Sequence, residues 1–481
     1  MVTPNEQSAR LDAFPYRHLL RDVMRSPPVT ARADDTVETA IRRLEADGVS
    51  SLLLVDDAAG GGAIVGIVTE RDILRILAGE GAASLTRPLR AIMSSPVEAL
   101  PEDAFVYRAI GRMGRRGLRH LAVAGRDGTI VGMITARQLL KQRVGGGLAL
   151  GDAIDTAQSA GDLHGVRNEL PTLAGRLLGD GLSAREVAGV ISAVLRDVSA
   201  RAAQLAEAET TAAHGPAPSR WCYLVLGSGG RGESLLAADQ DNALIHEGPD
   251  DPWFAALGRR ASEILDQAGI PLCKGGIMAA NAPWRGDLAA WNDRVARWLR
   301  AAAGEALLNA DIFFDFRAVH GAVDLAATLK RSAIEAAADA PLFLRLLADE
   351  TVRYGPALTL LGGFRTENGR VDLKKGGLML ATGAGRVLAL KHRIDAPGTA
   401  DRLRAVATLA HVPPDDLERL LAAHDTLLGA ILRQQIADIA AGIEPSTRVD
   451  VQALKRPARA RIKTALGDLK LLGEMLAAAL K

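Results

Sequence analysis

The chain says one thing twice near its start. Residues 22–57 read DVMRSPPVTARADDTVETAIRRLEADGVSSLLLVDD and residues 64–74 read IVGIVTERDIL. Residues 91–140 repeat the plan as AIMSSPVEALPEDAFVYRAIGRMGRRGLRHLAVAGRDGTIVGMITARQLL. Each copy has a Met, then Pro-Val, then an acidic turn before a stretch whose apolar residues recur at helical spacing. Each continues with a short apolar run (SLLLV, HLAVA), a Gly/Asp turn, a second run (IVGIVT, IVGMIT) and a closing helical segment. Short apolar runs between turn residues read as strands. Self-similarity of this kind implies two copies of one small unit, each helping to bury the other's apolar face.

These residues resemble a tandem CBS pair, over about residues 18–145. The resemblance implies a β-α-β-β-α unit per copy, sheets stacked on one another, and an adenine nucleotide (AMP, ADP or ATP) in the cleft between copies. It also implies a homodimer, since such pairs usually associate. The family's ribose contact lies in a G-[hydrophobic]-[hydrophobic]-[ST]-x-x-D pattern. Copy one has it as Gly66, Thr69 and Asp72; copy two has Thr135, with Gln138 at the Asp position. A carboxylate accepts both ribose hydroxyl hydrogens, whereas Gln lacks charge-assisted strength. One competent site is therefore expected rather than two. The competing reading is a structural pair in which Asp72 caps or anchors its helix.

GGG at 145–147 reads as a flexible break. Residues 150–213 read as helices, with Leu163, Val166, Leu170 and Leu173, then Val187, Ile191, Val194 and Leu195, at three- and four-residue steps. Ser183 with Glu186 three residues on makes a capping-box pattern. HGPAPS at 214–219 reads as a linker. Lys+Arg 58 against Asp+Glu 57 leaves a net charge of +1, so no global field draws the chain to nucleic acid or a membrane. Cys222 and Cys273 are too few for a disulfide framework or a zinc set, which fits a reducing cytoplasm. The first residues lack an apolar signal core. No uncharged apolar run approaches the roughly 18 residues of a membrane helix. A soluble, cytoplasmic protein is expected.

WCYLVLGSGGRGESLLAADQDNALIHE carries the chemistry. Trp221 to Leu226 is a continuous apolar run, read as a buried strand. It meets Gly-Ser-Gly-Gly, then an expected helical turn from Arg231 to Ala237, then a second strand from Asn242 to His246. Strand, Gly-rich turn and helix N-terminus together can cradle a phosphate. Asp239 and Asp241, two residues apart, project to one face of an extended chain. Two carboxylates so placed repel unless a cation sits between them, and Mg²⁺ (or Mn²⁺) would also hold a triphosphate.

The stretch resembles the polymerase-β-like nucleotidyltransferase superfamily, marked by G-S followed about ten residues later by D-x-D. More narrowly it looks like the nucleotidyltransferases found fused to CBS pairs. These are distant relatives of the enzymes that uridylylate the PII protein and adenylylate glutamine synthetase. The resemblance implies two-metal transfer of an NMP group from an NTP to an acceptor hydroxyl, on a protein by analogy alone. Asp239 and Asp241 would hold metal; Gly227, Ser228, Gly230 and Arg231 would hold the triphosphate. For Arg231 the competing reading is pairing with a nearby acid, and Glu233 reads as a first-turn acid favoured by the helix dipole. A third carboxylate usually comes from a later strand. CKGGIMAAN resembles that strand but carries no acid; DIFFDFR carries Asp311 and Asp315 in a β-like run, and Asp315 is the candidate. Lys274, Asn281, Trp284 and Arg285 are candidates to line the pocket, with packing the alternative for Trp284.

From about residue 331 apolar stripes at helical spacing run to the end and resemble the helical substrate-binding domain paired with this family. RVDLKKGGLMLATGAGR interrupts them, and Lys374 and Lys375 could reach phosphates from there or remain solvated charge. The chain length suits several domains. The expected division is a tail (1–17), the CBS pair (18–145), a helical connector (146–215), the nucleotidyltransferase domain (216–330) and the helical domain (331–481). The fold class is thus multidomain α/β plus α: tandem CBS pair, polymerase-β-like α/β domain and C-terminal helical bundle. The alternative function is a catalytically weak or inactive nucleotide sensor acting through protein contacts.

Overall fold

The computed structural model describes residues 14–56, 63–141, 148–359, 362–409 and 411–480. Residues 1–13 of the expected tail and the glycine run at 145–147 lie outside them. The chain forms two compact units, Met1–Asp152 and Ala153–Lys481.

In the first unit α1 (Phe14–Arg17) and α2 (Leu20–Val23) lead into the repeat. Copy one is β1 (Thr30–Arg32), α3 (Val37–Asp47), β2 (Ser51–Asp56), β3 (Ala63–Thr69) and α4 (Glu70–Glu80). Copy two is β4 (Ala99–Pro101), α5 (Val106–Arg116), β5 (His120–Ala124), β6 (Ile130–Thr135) and α6 (Ala136–Lys141). Both copies thus have the β-α-β-β-α order, with sheets β1-β2-β3 and β4-β5-β6. Val37, Ala40 and Leu44 of α3 pack with Leu52, Leu54 and Val68 of their sheet. Val106, Ile110 and Met113 do the same with Leu121, Val123 and Ile134 in copy two.

Leu53, Ala122 and Met133 form a further cluster where the two sheets meet. The copies also exchange their opening residues. Arg25 bridges to Met133 of copy two, and Ser94 bridges to Ile67 of copy one. Met24 lies against Gly132 and Met93 against Gly66; a Cβ on either glycine would stand 2.4 and 2.5 Å from the respective sulfur.

The chain passes through α7 (Leu148–Thr156) into the second unit. There α8 (Ala160–Gly179) and α9 (Ala184–His214) form the expected helices. Ser183 caps α9: its Oγ accepts from the Glu186 N–H at 3.2 Å, and Glu186 Oε2 accepts from the Ser183 N–H at 2.8 Å. A mixed α/β region follows: β7 (Trp221–Val225), α10 (Gly227–Arg231), β8 (Asn242–His246), α11 (Pro252–Gln267), β9 (Arg285–Gly286), α12 (Leu288–Ala301), α13 (Gly304–Phe313) and β10 (Arg317–Gly321). Its sheet order is β10-β7-β8-β9. β7 is antiparallel to both neighbours and β8 is parallel to β9.

The remainder is helical: α14 (Val323–Ala338), α15 (Pro341–Arg353), then, after β11 (Arg370–Asp372), α16 (Met379–Lys391), α17 (Thr399–Leu409) and α18 (Pro414–Ala440). β12 (Arg448–Asp450), α19 (Arg456–Asp468) and α20 (Lys470–Ala479) complete it. The β11–β12 pair corrects an all-helical expectation. Each strand reads Arg-Val-Asp, and antiparallel register sets Arg370 against Asp450 and Asp372 against Arg448. The two arginines pair beyond the strands, Arg370 with Asp438 at 2.7 Å and Arg448 with Glu367 at 2.8 Å. One core joins the sheet to these helices, from Leu224 and Ile245 through Trp291 and Phe313 to Leu344, Val387 and Leu427. The architecture is multidomain, α/β plus α. Among the described residues no helix is long and apolar enough to cross a membrane.

Candidate active site

β7 delivers the chain to the site. The Leu226 N–H donates to Asp241 O at 2.9 Å, and Gly227 leaves the strand at φ +55. That angle favours glycine. A Cβ at this position would also fall 2.8 Å from Asp241 Oδ2, so any side chain would crowd the carboxylate. The helical turn begins here, not at Arg231 as the sequence suggested, and Gly232 at φ +80 ends it. Gly230 faces inward: a Cβ there would stand 1.8 Å from the Asp315 carbonyl oxygen.

The D-Q-D-N segment shows the alternation of an extended chain. Gln240 and Asn242 are buried, while Asp239 is exposed and Asp241 half-buried on the other side. Gln240 Nε2 donates to the carbonyls of Ser262 and Ile270, each at 3.0 Å. Asn242 Oδ1 accepts from the Ala279 N–H at 2.8 Å. The backbone N–H groups of Gln240 and Asn242 donate to Pro271 O and Ile277 O, each at 3.0 Å. The inward pair therefore pins the segment 271–281 along the strand.

That segment, CKGGIMAAN, is not the third strand that the sequence suggested. It is a run of turns touching β8's lead-in through one bridge, Gln240 to Leu272. Gly276 at φ +69 breaks the pleat, and the next sheet pairing waits for β9. The pinned segment carries Cys273 to the carboxylates. Asp239, Asp241 and Cys273 each offer one donor atom, all within 4.8 Å of one another.

Burial first, and the Asp239 charge second, push Asp241 up to about 6; a hydrogen bond from Cys273 and the charge of Lys374 act the other way. Burial and Asp241 push the Cys273 thiol up to about 11. The protein alone thus disfavours full negative charge here, which is the condition a bound cation would relieve.

A cavity of about 550 Å³ opens over the carboxylates. Gly227, Ser228, Arg231, Asp239, Asp241 and Lys374 line it. Leu307, Ile312, Leu347, Met379 and Leu428 supply apolar wall. Lys374 opens the turn after β11; its N–H and that of Lys375 donate to Asp372 Oδ1 at 3.1 and 3.0 Å. Gly230 and Lys274 do not line the cavity, and Lys274 is exposed on the Cys273 segment. The other pocket candidates are engaged elsewhere. Asn281 donates to Gly276 O at 2.7 Å, Trp284 is core, and Arg285 pairs with Asp250 at 3.1 Å.

Asp315 is not a third carboxylate of this cluster. It is 2% exposed and meets Arg231 and Arg386 at 2.5 Å each and Arg402 at 2.7 Å. Burial opposes its charge, but the guanidinium groups outweigh burial and hold its carboxyl well below the usual range. Its charge is already matched by three cations. The expected β-run is instead the end of α13 and the turn before β10. Asp311, on α13, lines the cavity and pairs with Arg386; burial pushes its pKa up against that partner.

Arg231 reaches the cavity wall, yet its guanidinium is shared between Asp315 and Glu233, the latter at 2.9 Å. Burial works against its charge, and these acids outweigh it. Glu233 is not a first-turn acid: it lies just past the end of α10 and accepts from the Thr399 N–H at 2.6 Å and Oγ1 at 3.0 Å, tying the segment after α10 to α17. Arg386 and Arg402 were missed in the sequence. The available signal was an Arg inside the apolar run GRVLAL, which demands a buried acid.

In the first unit Asp72 serves its helix. Its Oδ2 accepts from the Thr69 N–H at 3.0 Å and Oγ1 at 2.7 Å, a capping box on α4. In copy two Thr135 Oγ1 accepts from the Gln138 N–H at 3.1 Å, and Gln138 Nε2 donates to Val23 O. Gln138 therefore anchors the lead-in.

Residues 20–79 and 89–145 match the family description "CBS domain". Residues 168–305 match "Putative nucleotidyltransferase DUF294" and 341–480 match its "substrate binding domain". An uncharacterised protein of Methanopyrus kandleri is 27% identical over 120 residues, 25% of this chain and 60% of that protein. An inosine-5'-monophosphate dehydrogenase of Methanocaldococcus jannaschii is 30% identical over 115 residues, 24% of this chain and 21% of the enzyme. The matches thus span less than two thirds of these relatives. A CBS-domain protein of Agrobacterium tumefaciens has 25% identity and a TM-score of 0.25, covering 27% of this chain and 95% of its own. A CBS protein of Pyrobaculum aerophilum complexed with AMP has 27% identity and a TM-score of 0.24, covering 25% and 90%. The three family matches, in this order along the chain, identify it as a member of the family described as "Putative nucleotidyltransferase DUF294", with a CBS pair before the family's core and its substrate-binding domain after.

Proposed function

We propose that the second unit transfers an NMP group from an NTP to an acceptor hydroxyl, under the control of an adenine nucleotide held by the CBS pair. The observation that carries the reading is the meeting of Asp239 and Asp241 with Gly227 and Ser228 on one cavity. The donor set suits a divalent cation: two carboxylates turned to one side, one of them short of charge in the protein alone. Bound there, Mg²⁺ or Mn²⁺ would neutralise phosphate charge and lower the pKa of the attacking hydroxyl.

The chain's own groups supply the rest. Gly227, bare of a side chain, lets a phosphate approach the backbone beside Asp241. The Ser228 hydroxyl offers a hydrogen bond, and the Lys374 ammonium offers charge to the phosphates from the facing wall. Arg231, committed to Asp315 and Glu233, shapes the wall and keeps α10 in place. In the CBS pair Gly66, Thr69, Asp72 and Thr135 are the proposed nucleotide contacts, and a homodimer through that pair belongs to the same reading. The acceptor class rests on analogy.

The test is pyrophosphate release and labelling of an acceptor by NTP with Mg²⁺ or Mn²⁺, in the wild type and in a variant with Asp239→Asn and Asp241→Asn. Labelling in the wild type that vanishes in the variant supports the reading; equal labelling in both overturns it. A catalytically weak nucleotide sensor has one observation in its favour, the withdrawal of Asp315 into its arginines. Saturable NTP binding without pyrophosphate release across a broad acceptor screen would select it.

A further inference from the structure

We infer that Cys273 is a metal ligand, its Sγ completing with Asp239 and Asp241 a mixed oxygen–sulfur site for a borderline divalent cation of the Co²⁺ or Zn²⁺ class in preference to Mg²⁺. The inference rests on the nucleotidyltransferase reading and adds to it the identity of the third donor and the class of ion.

Three observations meet here. The donor atoms of the three residues converge, and among the described residues no third carboxylate joins them. Asp315, the obvious alternative, is held in its arginine cage. Second, the thiol is not on a free loop. Gln240 and Asn242, the residues that alternate with the two aspartates, fasten both flanks of Cys273 through Pro271, Ile277 and Ala279. One four-residue segment thus turns two carboxylates to one side and fixes the sulfur's flanks through the backbone N–H groups of Gln240 and Asn242 and the Asn242 side chain. Third, Gly227 leaves the space over Asp241 Oδ2 clear, where any Cβ would intrude, and the cavity opens on that space.

Ligand chemistry sets the preference. Mg²⁺ is a hard ion that takes oxygen donors in a strict octahedron. A thiolate is a soft donor that favours borderline and softer ions. Metal–sulfur and metal–oxygen bonds of roughly 2.3 and 2.1 Å are within reach of these side chains by small rotations. On binding, the Cys273 S–H bond breaks and a sulfur–metal bond forms. The proton leaves to solvent, so one proton is released per ion held by the sulfur. Cys222, buried in β7, is the other thiol and is no part of the cluster.

The experiment titrates the full-length protein with Co²⁺, without nucleotide, and reads the thiolate-to-cobalt charge-transfer absorption beside calorimetric affinity. The wild type should show the band. Cys273→Ser should lose it and bind Co²⁺ roughly tenfold more weakly or worse, since even outer partners of a ligand change affinity that much. Cys273→Asp, which restores an oxygen donor, should show no band and compete better for Mg²⁺; it also covers the case of a serine variant that fails to fold. A wild type without the band, or a serine variant with unchanged Co²⁺ affinity, overturns the inference. The variant with both aspartates replaced separates the two levels. If it binds Co²⁺ as well as the wild type, the carboxylates are not a metal site and the nucleotidyltransferase reading falls with them. If it loses binding while Cys273→Ser retains it, only the role of Cys273 falls.

Discussion

Asp241→Asn should make the metal-free protein more stable at neutral pH. Burial and the neighbouring Asp239 move the Asp241 pKa from 3.8 to about 6. A shift of that size corresponds to on the order of 3 kcal/mol opposing the charged fold. The folded pKa lies above the unfolded one, so the native state holds this proton more tightly. The favourable contribution is complete below the unfolded value of 3.8 and lost as the pH rises through about 6. Asn carries no charge and escapes the loss. On a unit of this size the gain is about 4 °C in melting temperature. The assay is calorimetric melting in chelator at two pH values. The variant should melt above the wild type near pH 8, and the gap should close toward pH 4. Adding Mn²⁺ at about a thousandfold excess over Kd should reverse the order, because only the wild type gains binding energy, about 4.1 kcal/mol, which exceeds the variant's advantage. A variant that melts at or below the wild type in chelator at pH 8, or a gap that persists at pH 4, refutes the idea that Asp241 is a strained charge awaiting a cation.

Asp315→Ala should leave Arg231, Arg386 and Arg402 facing one another without their shared acid, costing about 3–5 kcal/mol, read by urea unfolding. Gly230→Ala would drive a Cβ into the Asp315 carbonyl, and should abolish soluble expression while Gly232→Ala is better tolerated. Ser183→Ala removes the α9 cap and should cost about 1 kcal/mol, visible as a lower denaturation midpoint.

What was legible in the sequence was local. The two aspartates on one face followed from a two-residue period, and the Ser183 cap from a three-residue spacing. The doubled β-α-β-β-α unit could be read because the chain prints it twice. What escaped was long-range. Asp315 finds Arg386 at a separation of 71 residues and Arg231 at 84, and no spacing rule connects them. A β-like run of aromatics around Asp315 proved to be a helix end, because Phe313, Phe314 and Phe316 all turn into one core. CKGGIMAAN lacks the carboxylate of a third strand because it is no strand, and its sulfur becomes conspicuous only once Gln240 and Asn242 are seen to pin it.

The crossed methionines of the CBS pair carry a consequence for anyone who cuts or grafts this chain. Met24 precedes copy one but seats on copy two's Gly132, and Met93 precedes copy two but seats on copy one's Gly66. The two halves are buckled like a clasp, each supplying the tongue for the other's slot. Splitting the pair between them would strip both sheets of a cover at once, whereas moving residues from α1 to α6 together keeps every buckle fastened. The pair is best moved as one piece, because each half carries the methionine that fills the other's glycine slot.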